Sequence, residues 1–260
     1  MTQELTILDR RQRVMEVITQ KGFMSLAELV ELLGVSESTV RRDLEVLERQ
    51  GSIRRTRGGA VSLMEPPTAK LAFTDRQATA LEEKRAIAAA VAGRIVDDQT
   101  IILDGGTTCY RVAEALVGRR LSIVTNSVPI AALLGGEVQT EVTVIGGYLY
   151  PRTGVTLGAA AVEMLDALRA AQLVMSCAAV NRDGVFNVNE MMTAVERRMI
   201  EVADEVILAV DHGKFGKRAI APLCQWSDID VLVTDWGTGE DWRRWVVSQG
   251  VELVVAEQQR

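Results

Sequence analysis

The apolar positions of the chain follow two rhythms. Up to about residue 60 they recur at i, i+3 and i+4, the spacing of amphipathic helices. Val14, Val17 and Ile18 mark a first helix over 10–19, closed by Gly22. Ser25-Leu26-Ala27-Glu28 has the form of a capping box, so a second helix starts there. It carries Leu26, Leu29, Val30 and Leu33 on one face and stops at Gly34. Ser36 is the N-cap of a third helix, whose Val40, Leu44 and Leu47 form a stripe that ends before Gly51. Two helices joined by a Gly-Val turn make a helix-turn-helix. Ile53 then anchors a strand, and Gly58-Gly59 supplies a turn, which predicts a wing.

The second rhythm begins after Met64-Glu65-Pro66-Pro67-Thr68. Its prolines disfavour helix and predict an extended hinge. Leu81–Ile95 reads as a helix. Short apolar runs follow at Ile101–Leu103, Leu121–Val124, Glu141–Ile145, Leu173–Ser176, Val206–Val210, Val231–Val233 and Leu253–Val255. They alternate with helical stretches at Arg111–Val117, Val128–Leu134, Ala160–Leu168, Glu190–Ala203 and Asp241–Ser248. That alternation predicts an α/β domain, a mostly parallel, Rossmann-like sheet covered on both faces. The expected plan is a winged helix-turn-helix over 1–61, a linker over 62–75 and an α/β domain over 76–260.

Composition narrows this only at the edges. Of 260 residues, 48% are hydrophobic and 25% charged, a globular balance that excludes collagen-like and mainly disordered chains. No apolar run approaches the roughly 18 residues of a membrane span, and residues 1–20 are too charged for a signal-peptide core. A cytoplasmic protein that does not engage membrane is expected. Cys109, Cys177 and Cys224 stand 68 and 47 residues apart, which suits neither a disulfide framework nor a zinc site. They are expected in the core or lining a pocket. His212 is the one histidine, so no multi-histidine metal site is expected, and no cofactor.

Charge changes the picture more. The net charge is −6, which argues against a polyanionic partner, but its distribution is uneven. Residues 1–60 hold 10 basic and 9 acidic side chains and the remainder 19 and 26. Between Arg41 and Arg57 there are six arginines against Asp43, Glu45 and Glu48. Local charge, not the sum, governs phosphate contact. The third helix opens with short polar residues, Ser36, Ser38 and Thr39, then Arg41 and Arg42, while Arg54, Arg55 and Arg57 decorate the wing. A recognition helix needs this order: its first residues reach base edges, and arginines and backbone N–H groups hold phosphates. Without further information, a solvated helical hairpin with surface arginines fits the same spacing.

In an open parallel sheet, ligands bind beyond the carboxyl ends of the strands. Asp104-Gly105-Gly106-Thr107-Thr108 follows the first run and leads into a helix, so two glycines admit a ligand closely and two hydroxyls and a helix N-terminus face it. Thr125-Asn126-Ser127, Gly146-Gly147 with Arg152, and Asp211-His212-Gly213-Lys214-Phe215-Gly216 follow other strands. Singly, each reads as an ordinary turn. Together they predict a polar pocket for a small anionic ligand.

The string Gly34-Val-Ser-Glu-Ser-Thr-Val-Arg-Arg-Asp-Leu44, with Arg57-Gly58-Gly59-Ala60, resembles the DNA-binding domain of DeoR-type bacterial transcriptional regulators. The Asp104–Thr108 loop, Thr125-Asn126-Ser127, Ile145-Gly146-Gly147 and Asp211–Gly216 resemble that family's effector domain in order and spacing. The resemblance covers nearly the whole chain. It implies a repressor of a carbohydrate-utilisation operon, working as a homo-oligomer (dimer or tetramer) on double-stranded operator DNA. It also implies an effector domain similar to ribose-5-phosphate isomerase that senses a phosphorylated sugar or related metabolite. On that likeness Gly106, Thr107 and Thr108 cradle phosphate, Lys214 adds positive charge, and Asp104, Asn126 and Asp211 bind hydroxyls; Gly105, Gly147 and Arg152 complete the expected effector-binding residues. The chain departs from the family at Met191–Glu196, where a Glu and a Lys are frequent, at Gly213, where Ser is frequent, and along Leu173–Val180.

Two other readings stand beside this one. A sugar-phosphate isomerase carrying a DNA-binding domain needs a base beside a carbonyl. The loop Asn181-Arg182-Asp183-Gly184 offers one carboxylate, and Asp-Gly is an ordinary turn pair. A nucleic-acid module with a merely structural partner domain predicts that no small molecule shifts DNA affinity. Regulator rather than enzyme is the expectation.

Overall fold

The computed structural model describes residues 7–21, 23–49, 53–56, 58–62 and 73–258. Contacts divide the chain into two units, Met1–Leu71 and Ala72–Arg260. The hinge at Met64–Thr68, with Gly22, Gly51 and Arg57, lies outside the described residues.

The first unit runs α1 (Ile7–Lys21), β1 (Phe23–Ser25), α2 (Leu26–Leu33), α3 (Glu37–Arg49), β2 (Ile53–Thr56) and β3 (Gly59–Ser62). The capping box forms as the spacing predicts: Glu28 N–H donates to Ser25 Oγ and Ser25 N–H to the Glu28 carboxylate. Gly34 ends α2 at φ 64°, a left-handed conformation that glycine adopts without steric cost. The helices close over one core of Val14, Ile18, Leu29, Leu33, Val40, Leu44, Leu47 and Ile53. Asp43, 1% exposed, is held by Arg10 Nε at 2.6 Å and Arg11 Nε at 2.8 Å, so α1 is pinned to α3 by charge as well as by apolar packing. The three strands pair antiparallel in the order β1-β3-β2 and form the wing. One detail differs from expectation. Gly58 lies in the turn, whereas Gly59 belongs to β3, opposite Thr56 and Ser25. It is glycine because a Cβ there would stand 2.1 Å from Met24 O.

The second unit opens with α4 (Phe73–Ala78) and α5 (Leu81–Arg94), then β4 (Thr100–Leu103), α6 (Thr107–Ala115), β5 (Leu121–Thr125), α7 (Val128–Leu134) and β6 (Thr140–Val144). A hairpin of β7 (Tyr148–Tyr150) and β8 (Val155–Leu157) leads to α8 (Ala159–Asp166) and β9 (Ala170–Met175). There follow β10 (Ala179–Asn181), β11 (Gly184–Asn187), α9 (Glu190–Glu201), β12 (Ala203–Ala209), β13 (Ala221–Cys224), β14 (Val231–Asp235), α10 (Glu240–Ser248) and β15 (Glu252–Ala256).

All seven expected strands join one parallel sheet in the order β15-β14-β12-β9-β4-β5-β6. Alternate side chains point to opposite faces. Ile101, Leu103, Ile123, Val174 and Ile207 meet α5, α6 and α7 on one face. Ile102, Val124, Leu173, Met175, Leu208 and Leu232 meet α8, α9 and α10 on the other. The chain builds outward from β4 to β6, then returns to place β9 on β4's other side. The order therefore reverses between β4 and β9, and the carboxyl end of that switch point is where sheets of this kind have their ligand crevice. The short sheet β10-β11-β13 and the β7–β8 hairpin were not foreseen as strands; each has only three or four residues, too few to show a period.

Candidate functional site

The start of α3 lies on the surface. Ser36 caps the helix, its Oγ receiving Thr39 N–H at 3.3 Å and lying 2.9 Å from both Ser38 Oγ and Thr39 Oγ1. Arg41 and Arg42 follow one turn on, both exposed. Arg41 folds back on Glu37, with Nη2 at 2.6 Å from Oε1, whereas Arg42 is in no ion pair among the described residues. Arg55 is more constrained: its N–H and Nε bond Glu48, and Nη1 reaches Glu45 Oε1 at 3.0 Å. It fastens β2 to α3, a role in the wing's structure that spacing alone did not suggest. Nothing is described of the Arg54 side chain or of Arg57.

In the second unit the crevice starts where β4 ends. Asp104, 4% exposed, donates its N–H to Val174 O at 3.0 Å, and its carboxylate accepts N–H groups of Gly105 and Ser176. It thus ties the two strands that flank the reversal. Gly105 must be small: a Cβ would stand 2.1 Å from Val155 Cγ1 and 3.7 Å from Asn126 Oδ1. Gly106, at φ 111°, turns the chain into α6 without a side-chain cap, and Thr107 and Thr108 are buried in that first turn. Asn126 is anchored by the hairpin: Thr156 N–H donates to its carbonyl at 2.8 Å, and its Nδ2 donates to Thr156 O at 3.4 Å. Its Oδ1 is buried with no partner. Gly147 has a backbone reason of its own, since a Cβ there would lie 2.5 Å from Leu157 O. Arg152 is half-buried in the turn of the β7–β8 hairpin.

Across the crevice, Asp211 caps the short turn 212–214 by accepting Gly213 N–H at 3.0 Å, with Lys214 half-buried after it. His212 is paired to fully buried Asp235, Nδ1 to Oδ2 at 2.7 Å.

Three groups escaped the sequence reading. Lys84, 4% exposed, donates from Nζ to Arg76 O at 2.8 Å and Thr79 O at 2.6 Å. Burial lowers its pKa to about 8, the nearby Asp211 carboxylate opposes that, and Lys214, Arg76 and Arg111 reinforce it. Three further cations and the Asp211 carboxylate therefore act on Lys84. The signal was present: Lys84 shares a helical face with Ile87 and Val91, where a charge is out of place. Arg111, one turn beyond Thr107, is the second; it pairs with Glu114. The third is Glu196, 2% exposed on α9. Asn187 Nδ2 donates to its Oε1 at 2.6 Å, and its Oε2 is buried with no partner. Burial pushes Glu196 well above the carboxylate range, as does the neighbouring Asp104 charge. Burial likewise lifts Asp104 to about 7, against the two backbone N–H groups that favour its charged form.

The remaining candidates fall outside this constellation. Asp183 lies on the exposed β10–β11 turn, its N–H bonded to Asn181 Oδ1 and its carboxylate facing Arg218. Gly184 completes that turn at φ 139°, so the Asp-Gly pair is a turn. The three cysteines are unbridged; Cys109 and Cys177 are buried and Cys224 half-buried. No group of metal-binding side chains occurs among the described residues, and no helix among them is long and apolar enough to cross a membrane.

Comparison with known proteins places both units. A family model described as the DeoR-like helix-turn-helix domain matches residues 10–65, and one described as the DeoR C terminal sensor domain matches 79–236. The HTH-type transcriptional repressor CsqR of Escherichia coli is 37% identical over 236 residues, 89% of each chain. The glycerol-3-phosphate regulon repressor of Escherichia coli is 35% identical over 230 residues, 87% of this chain and 90% of that one. The repressor GlcR of Bacillus subtilis is 30% identical over 253 residues, 96% of each. Among solved structures, ribose 5 phosphate isomerase A from Neisseria gonorrhoeae overlays 52% of this chain and 53% of its own at 16% identity, with a TM-score of 0.39, too loose to carry weight.

Proposed function

From the premise that this chain belongs to the DeoR family of helix-turn-helix transcriptional regulators, we propose that it represses a carbohydrate-utilisation operon and responds to a phosphorylated sugar or related metabolite. It does so as a cytoplasmic homo-oligomer and without catalysis of its own. Relatives named as a glycerol-3-phosphate regulon repressor and as GlcR support the metabolic assignment.

The observation that carries the reading is the buried Lys84 facing Lys214, Arg76 and Arg111 beside the uncapped start of α6. Asp211 is one acidic neighbour against Lys84 and three further cations, so a bound anion is favourable here. Thr107, Thr108 and the first N–H groups of α6 supply the donors that phosphate oxygens require. On the DNA side, Ser38 and Thr39 would meet base edges, and Ser36, Arg41 and Arg42 the backbone, with Arg54, Arg55 and Arg57 following from the wing.

The coupling is thermodynamic. An effector changes operator affinity only if it binds the DNA-competent and DNA-incompetent arrangements unequally. The test is a titration of an operator, selected from random DNA by the full-length chain, with and without a panel of sugar phosphates at fixed salt. A shift in operator affinity by at least one of them is expected. No shift with any, while inorganic phosphate also leaves thermal stability unchanged, would refute the sensor assignment. A second reading, isomerisation, draws on the two raised carboxyls Asp104 and Glu196. Turnover of pentose or hexose phosphates at about 1 s⁻¹ or faster would favour it.

A further inference from the structure

The crevice is polarised. At one side stands buried Lys84, on which Lys214, Arg76, Arg111 and the Asp211 carboxylate all act. At the other stand two carboxyl groups, Asp104 and Glu196, 4% and 2% exposed. Cys177, buried just beyond β9, feels both Lys214 and Glu196, so both sides lie near one side chain. The acidic side has no ion-pair partner: the Arg197 charge acts on Glu196, but its guanidinium is bonded to the Leu223 and Pro222 carbonyls. Asp104 receives only backbone N–H groups, Glu196 one amide donor from Asn187, and no salt bridge to either occurs among the described residues. Around them two acceptors are buried and unpartnered: Glu196 Oε2, and Asn126 Oδ1 beside Gly105.

Buried acceptors without donors are costly to folding, and two neighbouring buried carboxyls without a salt bridge more so. A phosphate does not relieve them, since it brings more acceptors and more negative charge. A hydroxyl brings one donor and no charge. A primary ammonium brings three donors and the missing charge. We infer that the effector is bipolar: a sugar phosphate whose far end carries an amino group, seated against Glu196, Asp104 and Asn126 while its phosphate meets Lys84, Lys214 and α6. This rests on the phosphate-sensing reading above and narrows it to phosphorylated amino sugars.

The test uses the full-length chain and matched pairs of hexose 6-phosphates that differ only in an amino for a hydroxyl group, with the glucosamine/glucose and galactosamine/galactose pairs as probes. Calorimetric titration should show the amino member of at least one pair binding about tenfold or more tighter than its hydroxyl counterpart, the scale of a charge-assisted hydrogen bond. Its binding should release protons, seen as a dependence of the heat on buffer ionisation, because the ammonium favours ionised Asp104 and Glu196. Glu196→Gln keeps the acceptor for Asn187 but removes the charge. It should abolish both the preference and the proton release while binding inorganic phosphate as the wild type does. Equal or weaker binding of every amino sugar, or a preference that survives in Glu196→Gln, overturns the inference. So does binding of inorganic phosphate without binding of any amino-sugar phosphate. If inorganic phosphate and all four sugars fail to bind, the phosphate-sensing reading itself falls, a result distinct from the others.

Discussion

Single side chains set the sensitivity of the crevice to pH. The folded state holds a proton on Asp104 up to about 7, whereas an unfolded aspartate loses it near 4. Folding therefore binds a proton in that window, and stability without effector should fall as pH rises from 4 to 7, by on the order of a few kcal/mol. Glu196, shifted the same way, adds to the slope. Asp104→Asn should flatten it, as read by thermal unfolding at several pH values; an unchanged slope would show that Asp104 titrates normally. Lys84 shifts the opposite way. It loses its proton near 8 rather than near 10.4, so phosphate affinity should weaken as pH rises through 8. Lys84→Met should remove most of that affinity together with its pH dependence. Lys214→Ala and Thr107→Val should leave operator affinity without effector nearly intact but blunt the response to effector. If both respond like the wild type, the anion binds elsewhere.

Elements carry a second set of consequences. The start of α3 is exposed and capped by Ser36, so its outer residues are available to DNA without refolding the helix. Arg42→Ala should weaken operator binding and make the salt dependence shallower by roughly one unit, the signature of one lost phosphate contact. Arg41 must first leave Glu37, so Arg41→Ala should cost less. Equal binding by both variants and the wild type would refute the assignment. The wing depends on a close approach of backbones. Gly59→Ala would drive a Cβ into Met24 O and should destabilise the first unit by about 1–3 kcal/mol or more, the cost of overpacking. Denaturant unfolding measures it, and a neutral result would mean that β1 and β3 slide apart without cost.

For the whole molecule, one helix-turn-helix reads only a few base pairs, so tight operator binding implies two-fold pairing of chains. Sedimentation should show at least a dimer at the concentrations where the operator is bound; a monomer binding with nanomolar affinity would contradict this. Much of the architecture was legible in the linear pattern. The capping box, Gly34 and the Val40–Leu44–Leu47 stripe are local features, and the seven strands are apolar runs between helices, so their existence followed from nearest neighbours in sequence. So did the polar strand ends, because each lies directly after its strand. What the chain could not announce was which ends meet. Strand order is a long-range property: only the folded sheet places β9 beside β4 and so brings Ser176 to Asp104. The same holds for Glu196 and Lys84, which look like surface charges on helices until the helices are packed. There burial, not spacing, turns one into a carboxyl with a raised pKa and the other into an ammonium with a lowered one, because the cost of desolvating a charge depends on everything around it rather than on its neighbours in the chain.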